Sequence, residues 1–174
     1  MSRYYPAALL LFLLVIEGTI VPNAVANFLQ MDAVMVPRFL IVVIVFVGIF
    51  IGRKESLILG LIFGCIYDIV YTEFLGIYAF GLGFIGYLFA FSTKRIQDSI
   101  IVPIVLSCVA ILFFEYYQYS IIQMLGVSEW SAGQFAKDRL LPTLLFNLAF
   151  AIVAIIPVRK LCMHVNHQAD LRQR

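Results

Sequence analysis

Six apolar runs, each closed by a short polar or charged turn, make up most of this chain: roughly positions 5–21, 34–51, 56–71, 75–91, 100–124 and 140–158. A bilayer core is about 30 Å thick, and a helix crosses it in roughly 17–25 residues. Runs of this kind predict membrane-spanning helices, because an open backbone cannot be satisfied inside lipid. The second run is centred on 39–51 and reaches back through Val34, Met35 and Val36. It and the third run are short, so they cross a thinned bilayer, start before these boundaries, or are partly re-entrant. The pattern predicts a single domain over 1–174, an all-α integral membrane protein built as a six-transmembrane-helix bundle.

Composition sharpens this. Hydrophobic residues are 63% of the chain and charged residues 13%, against about half and about a quarter in soluble domains. A net charge of +2 without a basic stripe argues against nucleic acid. Lysine and arginine set the orientation, because cytoplasmic loops carry their excess. With the N-terminus inside, nine basic residues (Arg3, Arg53, Lys54, Lys94, Arg95, Arg159, Lys160, Arg172, Arg174) fall inside and three (Arg38, Lys137, Arg139) outside. Both termini are therefore expected in the cytoplasm. Ala24-Val25-Ala26 resembles a signal-peptide cleavage site, but a retained first helix is the expectation. Cys65, Cys108 and Cys162 form no CxxC pair and read as packing residues; His164 and His167 read as part of a short solvated basic tail. No metal site or cofactor is expected.

Three carboxylates fall inside apolar runs: Glu17, Asp68 and Glu115. A charge at the bilayer centre costs at least ~2.5 kcal/mol, so such residues need partners or water. Counted along their helices at about 1.5 Å per residue, all three lie in the outer part of the membrane. The oppositely directed helices bring Arg38, after Pro37, and Arg139, ahead of Pro142, to the same layer. Carboxylate and guanidinium pair bidentately, so a buried polar clasp fixing helix register is one reading. A pocket for a ligand or a partner's charged segment is the other. Tyr67, Tyr71, Tyr78, Tyr116, Tyr117 and Tyr119 join this layer or its rim, where aromatic belts form. Gly60, Gly64 and Asp68 line one face of the third helix, and glycines at this spacing allow close helix approach. Gly76, opening the fourth helix, is grouped with them as a packing glycine. The outer segment 125–139 holds Trp130 and Phe135 and suits either the membrane interface or a partner contact.

The run GLIFGCIYDIVYTEFLGIYAF at 60–80 resembles the signature of the rod shape-determining protein MreD family. A glycine-rich helix ends in Asp68, a short turn follows, and Leu75-Gly76 opens the next helix. VPRFL at 36–40, Glu115, and DRLLPTLLFN at 138–147 are similar to Bacillus-type members. The resemblance covers nearly the whole chain and is poorest in the first helix, where only Glu17 and its context agree. It implies a non-catalytic membrane scaffold of the elongation complex that supports rod shape and lateral peptidoglycan synthesis. It implies direct binding to MreC, with RodA, a class B penicillin-binding protein and MreB as further members. It also implies a fold like the S component of energy-coupling vitamin transporters.

Constellations for intramembrane catalysis are missing from the runs. Only one aspartate lies in a span, no histidine does, and no glycine-rich phosphate loop with lysine occurs. The remaining rival to a scaffold is a small-molecule-binding, S-component-like transporter subunit.

Overall fold

A helix with no exposed face sets the architecture. In the computed structural model, which describes residues 4–20, 35–126 and 130–172, all twelve residues of α2 (Phe39–Phe50) are buried. Its sequence, FLIVVIVFVGIF, is apolar on every side, and such a helix is shielded from water all round, here by other helices. The cover comes from α1 (Tyr5–Val15), α3 (Arg53–Tyr71), α4 (Ile77–Leu88), α6 (Ile101–Met124) and α8 (Leu141–Arg172). The short α5 (Lys94–Asp98) and α7 (Ala132–Gln134) complete the helices; π turns follow α1 at Ile16–Ile20 and precede α8 at Phe135–Leu140. Among the described residues there is no strand.

The ring is apolar outside as well as inside. Leu11, Phe12, Leu61, Ile69, Val105 and Val153 on its outer faces are 43–74% exposed. Contiguous apolar surface on this scale is foreign to soluble monomers and suited to acyl chains. Ile101–Met124 and Ala132–Gln168 are long and apolar enough to cross a membrane, whereas Tyr5–Thr19, Phe39–Phe50 and Ile77–Leu88 are shorter apolar helices.

Element ends depart from the apolar runs for local reasons. Residues 35–38 are not helical, because Pro37 drives Val36 out of the α region; Val34 lies outside the described residues. α3 starts at Arg53, taking in the charged turn before the apolar run. α4 starts only at Ile77, after Gly76 at φ +102°. α8 continues to Arg172 with Pro157 inside it, so His164 and His167 sit on a helix rather than a loose tail; the His164 ring pairs with the Gln168 amide at 2.8 Å. Cys65, Cys108 and Cys162 are free thiols. Arg3, Arg174 and the 22–33 connection, with Ala24-Val25-Ala26, lie outside the described residues, as do 127–129 of the segment 125–139.

α3 and α4 form the closest helix pair. A Cβ on Gly64 would lie 2.5 Å from the Tyr78 carbonyl oxygen, one on Gly86 would lie 2.5 Å from that of Ser56, and one on Gly60 would strike the Leu82 carbonyl. Backbone meets backbone there, which only glycine permits. Gly76 does not belong to this set. Its absent Cβ would meet nothing within 4 Å; what the position requires is the left-handed backbone that starts α4, which costs other L-residues roughly 1–2 kcal/mol.

Candidate functional site

At about 1.5 Å per residue, the twelve residues of α2 and of α4 span only about 18 Å. Each is shorter than a bilayer core of about 30 Å, and each begins directly after non-helical backbone. A helix start leaves four N–H groups without intrahelical acceptors. Both starts are met by carboxylates from the preceding helical segment.

The α4 start is held by Asp68. One oxygen accepts the N–H groups of Gly76 and Ala79, each at 2.9 Å, and the other accepts that of Tyr78 at 3.0 Å. The Thr72 hydroxyl adds a bond at 3.3 Å. Asp68 is 1% exposed. The carboxylate also lies at the positive end of the α4 dipole, which favours negative charge. Its partners are thus backbone N–H groups, not the guanidinium that a charge-pairing layer suggests. Glu17, buried in the first π turn, likewise accepts the N–H of Leu40 in the first turn of α2, at 3.1 Å.

Arg38, immediately before α2, is the hub. Its Nε donates to Glu115 Oε1 at 2.6 Å, its Nη1 to the Tyr78 hydroxyl at 2.6 Å, and its Nη2 to the Gln118 side-chain oxygen. The guanidinium carbon lies 5.1 Å from the Phe114 ring centre and 5.5 Å from that of Tyr78. Tyr78 is itself stacked on Tyr67 at 4.0 Å. Arg38 and Glu115 are 1% and 0% exposed. Glu115 also receives Arg139 Nε at 3.2 Å. Glu17, Arg38, Asp68, Glu115 and Arg139 therefore gather around the starts of α2 and α4, linked through Leu40, Tyr78 and one another. Both π turns carry a member, Glu17 and Arg139; such turns often mark functional positions.

Three participants were missed in the sequence: Gln118, Thr143 and Asn147. Asn147 accepts the backbone N–H of Arg38 at 2.7 Å and donates to the Val36 carbonyl at 2.9 Å. Thr143, one turn earlier, accepts the N–H of Val36 at 3.2 Å. The segments VPRFL and DRLLPTLLFN thus bind each other, α8 satisfying the backbone that Pro37 keeps out of α2. The available signals were the i, i+4 spacing of Thr143 and Asn147 and the i, i+3 spacing of Glu115 and Gln118, which place each pair on one helix face.

Beside this network lie two clefts that share Gln118 and Ile122. One, of about 210 Å³, is also lined by Tyr119, Trp130, Phe135 and Arg139; the other, of about 220 Å³, by Thr72, Phe74, Ile77, Tyr78 and Leu125. Phe135 is buried and stacks on Tyr119 at 4.4 Å, and the Tyr119 hydroxyl donates to the Trp130 carbonyl at 3.1 Å. The segment after α6 is thereby folded onto the end of α6.

An all-helical chain with an apolar exterior, whose buried charges cap helices and clasp one another, is built as a helical membrane protein. The family model for the rod shape-determining protein MreD matches residues 2–165. The rod shape-determining protein MreD of Bacillus subtilis (strain 168) is 33% identical over 141 residues, covering 81% of this chain and 82% of that one. The chain belongs to the MreD family, and its role is in rod shape determination. No solved structure matches it, so likeness to vitamin-transporter S components stays an expectation.

Proposed function

We propose that this chain is a non-catalytic scaffold of the wall-elongation complex, crossing the cell membrane six times with both termini in the cytoplasm and binding MreC directly. RodA, a class B penicillin-binding protein and MreB are the further members of the complex in which it supports lateral peptidoglycan synthesis. The carrying observation is what the buried carboxylates do. Asp68 and Glu17 accept backbone N–H groups at helix starts, and Glu115 is shared by two arginines. Among the described residues no buried side-chain nitrogen or oxygen lacks a partner. Groups committed in this way build a rigid body and leave little for proton transfer.

Six crossings require the two short helices to be extended by non-helical backbone. The 35–38 strip before α2 and the turn before α4 carry the chain through the outer leaflet, where the caps make non-helical backbone tolerable. A transporter subunit would need a ligand-sized cavity. The outer clefts, at about 210 and 220 Å³, fall below the roughly 300–1,000 Å³ of small-molecule sites.

Affinity purification from native membranes tests the reading. The scaffold should bring down MreC in comparable amount, and cysteines introduced at both termini should react with thiol reagents only once the cytoplasmic face is opened. Recovery of an ATPase module and a bound small molecule instead of MreC would overturn it.

A further inference from the structure

We propose that the outer cleft beside Arg139 is the docking point for an acidic side chain presented by a partner protein, an inference that rests on the scaffold reading above. Arg139 is 27% exposed and engages Glu115 through Nε alone. Among the described residues its two terminal nitrogens donate to no protein group. Glu115 already answers Arg38, so one carboxylate is divided between two guanidiniums, and Arg139 keeps both charge and donors for a further anion.

Gln118 gives a second, independent sign. It is only 7% exposed, and its oxygen is bound to Arg38. Its amide nitrogen has no acceptor among the described residues, yet it is not sealed off, since no buried side-chain nitrogen there is unpaired. A nearly buried donor thus opens onto the cleft that Gln118 lines together with Arg139. Among the described residues the cleft has no acidic lining side chain, so their charge is complementary to a carboxylate, which accepts from a guanidinium fork and an amide at once.

Size and walls choose the carrier. About 210 Å³ is smaller than the roughly 300–1,000 Å³ of sites for whole small molecules, and is right for one side chain. Tyr119, Trp130, Phe135 and Ile122 surround the donors. Arginine with tyrosine and tryptophan in one recess is the composition of protein–protein hot spots.

The test uses the full-length protein purified from native membranes together with the MreC partner. Ile122→Trp fills the cleft without touching the clasp. Arg139→Lys keeps a positive charge near Glu115 and removes the planar fork. Ile122→Trp should unfold near the wild-type temperature, Arg139→Lys somewhat below it through its lost Nε bond to Glu115, and both, compared at a temperature where each is fully folded, should retain at least about tenfold less MreC, a change of about 1.4 kcal/mol. Changing the acidic residues of MreC's outer membrane-proximal segment one at a time to their amides should reproduce the loss at a single position, with no further loss on adding Arg139→Lys. Wild-type MreC retention in both variants would overturn the docking site while leaving the scaffold reading intact. Absence of MreC from the wild-type preparation would overturn both. Anionic phospholipid that binds the wild type and is lost from Ile122→Trp, with MreC unaffected, would assign the cleft to a lipid headgroup and overturn the protein occupant.

Discussion

Replacing Asp68 by alanine removes the acceptors for three backbone N–H groups, those of Gly76, Tyr78 and Ala79. Loss of an ordinary helix cap costs about 0.5–2 kcal/mol. Here the Tyr78 bond is buried and those of Gly76 and Ala79 are part-buried. A buried donor left unpaired costs about 1–3 kcal/mol, and with two of the three only partly sealed the effect is about 3 kcal/mol. Asp68→Asn keeps one carbonyl oxygen but forfeits the charge–dipole attraction of about 0.3–1 kcal/mol; with part of the bonding also lost, about 1–2 kcal/mol is expected. For a chain of this size 1 kcal/mol moves the midpoint by about 2–4 °C, giving about 6–12 °C for alanine and about 2–8 °C for asparagine. Cys162 is fully buried on α8, so its reaction with a thiol dye during heating, in a Cys65→Ala/Cys108→Ala background, reads unfolding far from the mutation. Equal midpoint shifts for the two variants, or a shift below about 2 °C for alanine, would refute the capping account.

The same assay tests the clasp. Glu115→Leu leaves Arg38 buried without its carboxylate and should cost about 3–5 kcal/mol, whereas Arg38→Met/Glu115→Leu leaves no charge stranded between them and should cost less than that single change. The glycines separate by mechanism. Gly64→Leu should cost about 1–3 kcal/mol by forcing α3 and α4 apart, and asparagine there should not relieve it. Gly76→Ala should cost roughly 1–2 kcal/mol through its backbone alone, and Gly76→Asn should recover part of this because asparagine tolerates the left-handed region. Thermal midpoints measured side by side decide whether that contrast exists.

Much of the site was readable as charge out of place. Glu17, Asp68 and Glu115 stand out in apolar runs, and Arg38 and Arg139 offer opposite charge at matching depth. Their bonds were less readable. A carboxylate answered by another helix's first N–H groups leaves no complementary letter in the sequence, so Asp68 could be placed in the layer but not given its partner. Gln118, Thr143 and Asn147 escaped because an uncharged polar residue barely interrupts an apolar run. The π turns at Glu17 and Arg139 were invisible, since one extra residue per turn has no composition of its own. The helix starts were recoverable in part: Pro37 and Gly76 mark where α2 and α4 begin, yet the runs around them stay apolar straight through those points.

The wholly covered α2 has a consequence for biogenesis. It leaves the ribosome ahead of α3, α4, α6 and α8, which together with α1 wrap it. The post is therefore planted before most of its wall is made. Later helices need only gather around it sideways, and none has to be threaded into a finished cylinder. Because lipid tails solvate α2 as well as its neighbours do, this gathering draws on packing and hydrogen bonding rather than escape from water. The Asn147 bridge to Arg38 comes with α8, so the wall is latched to the post only after α3, α4 and α6 have been made.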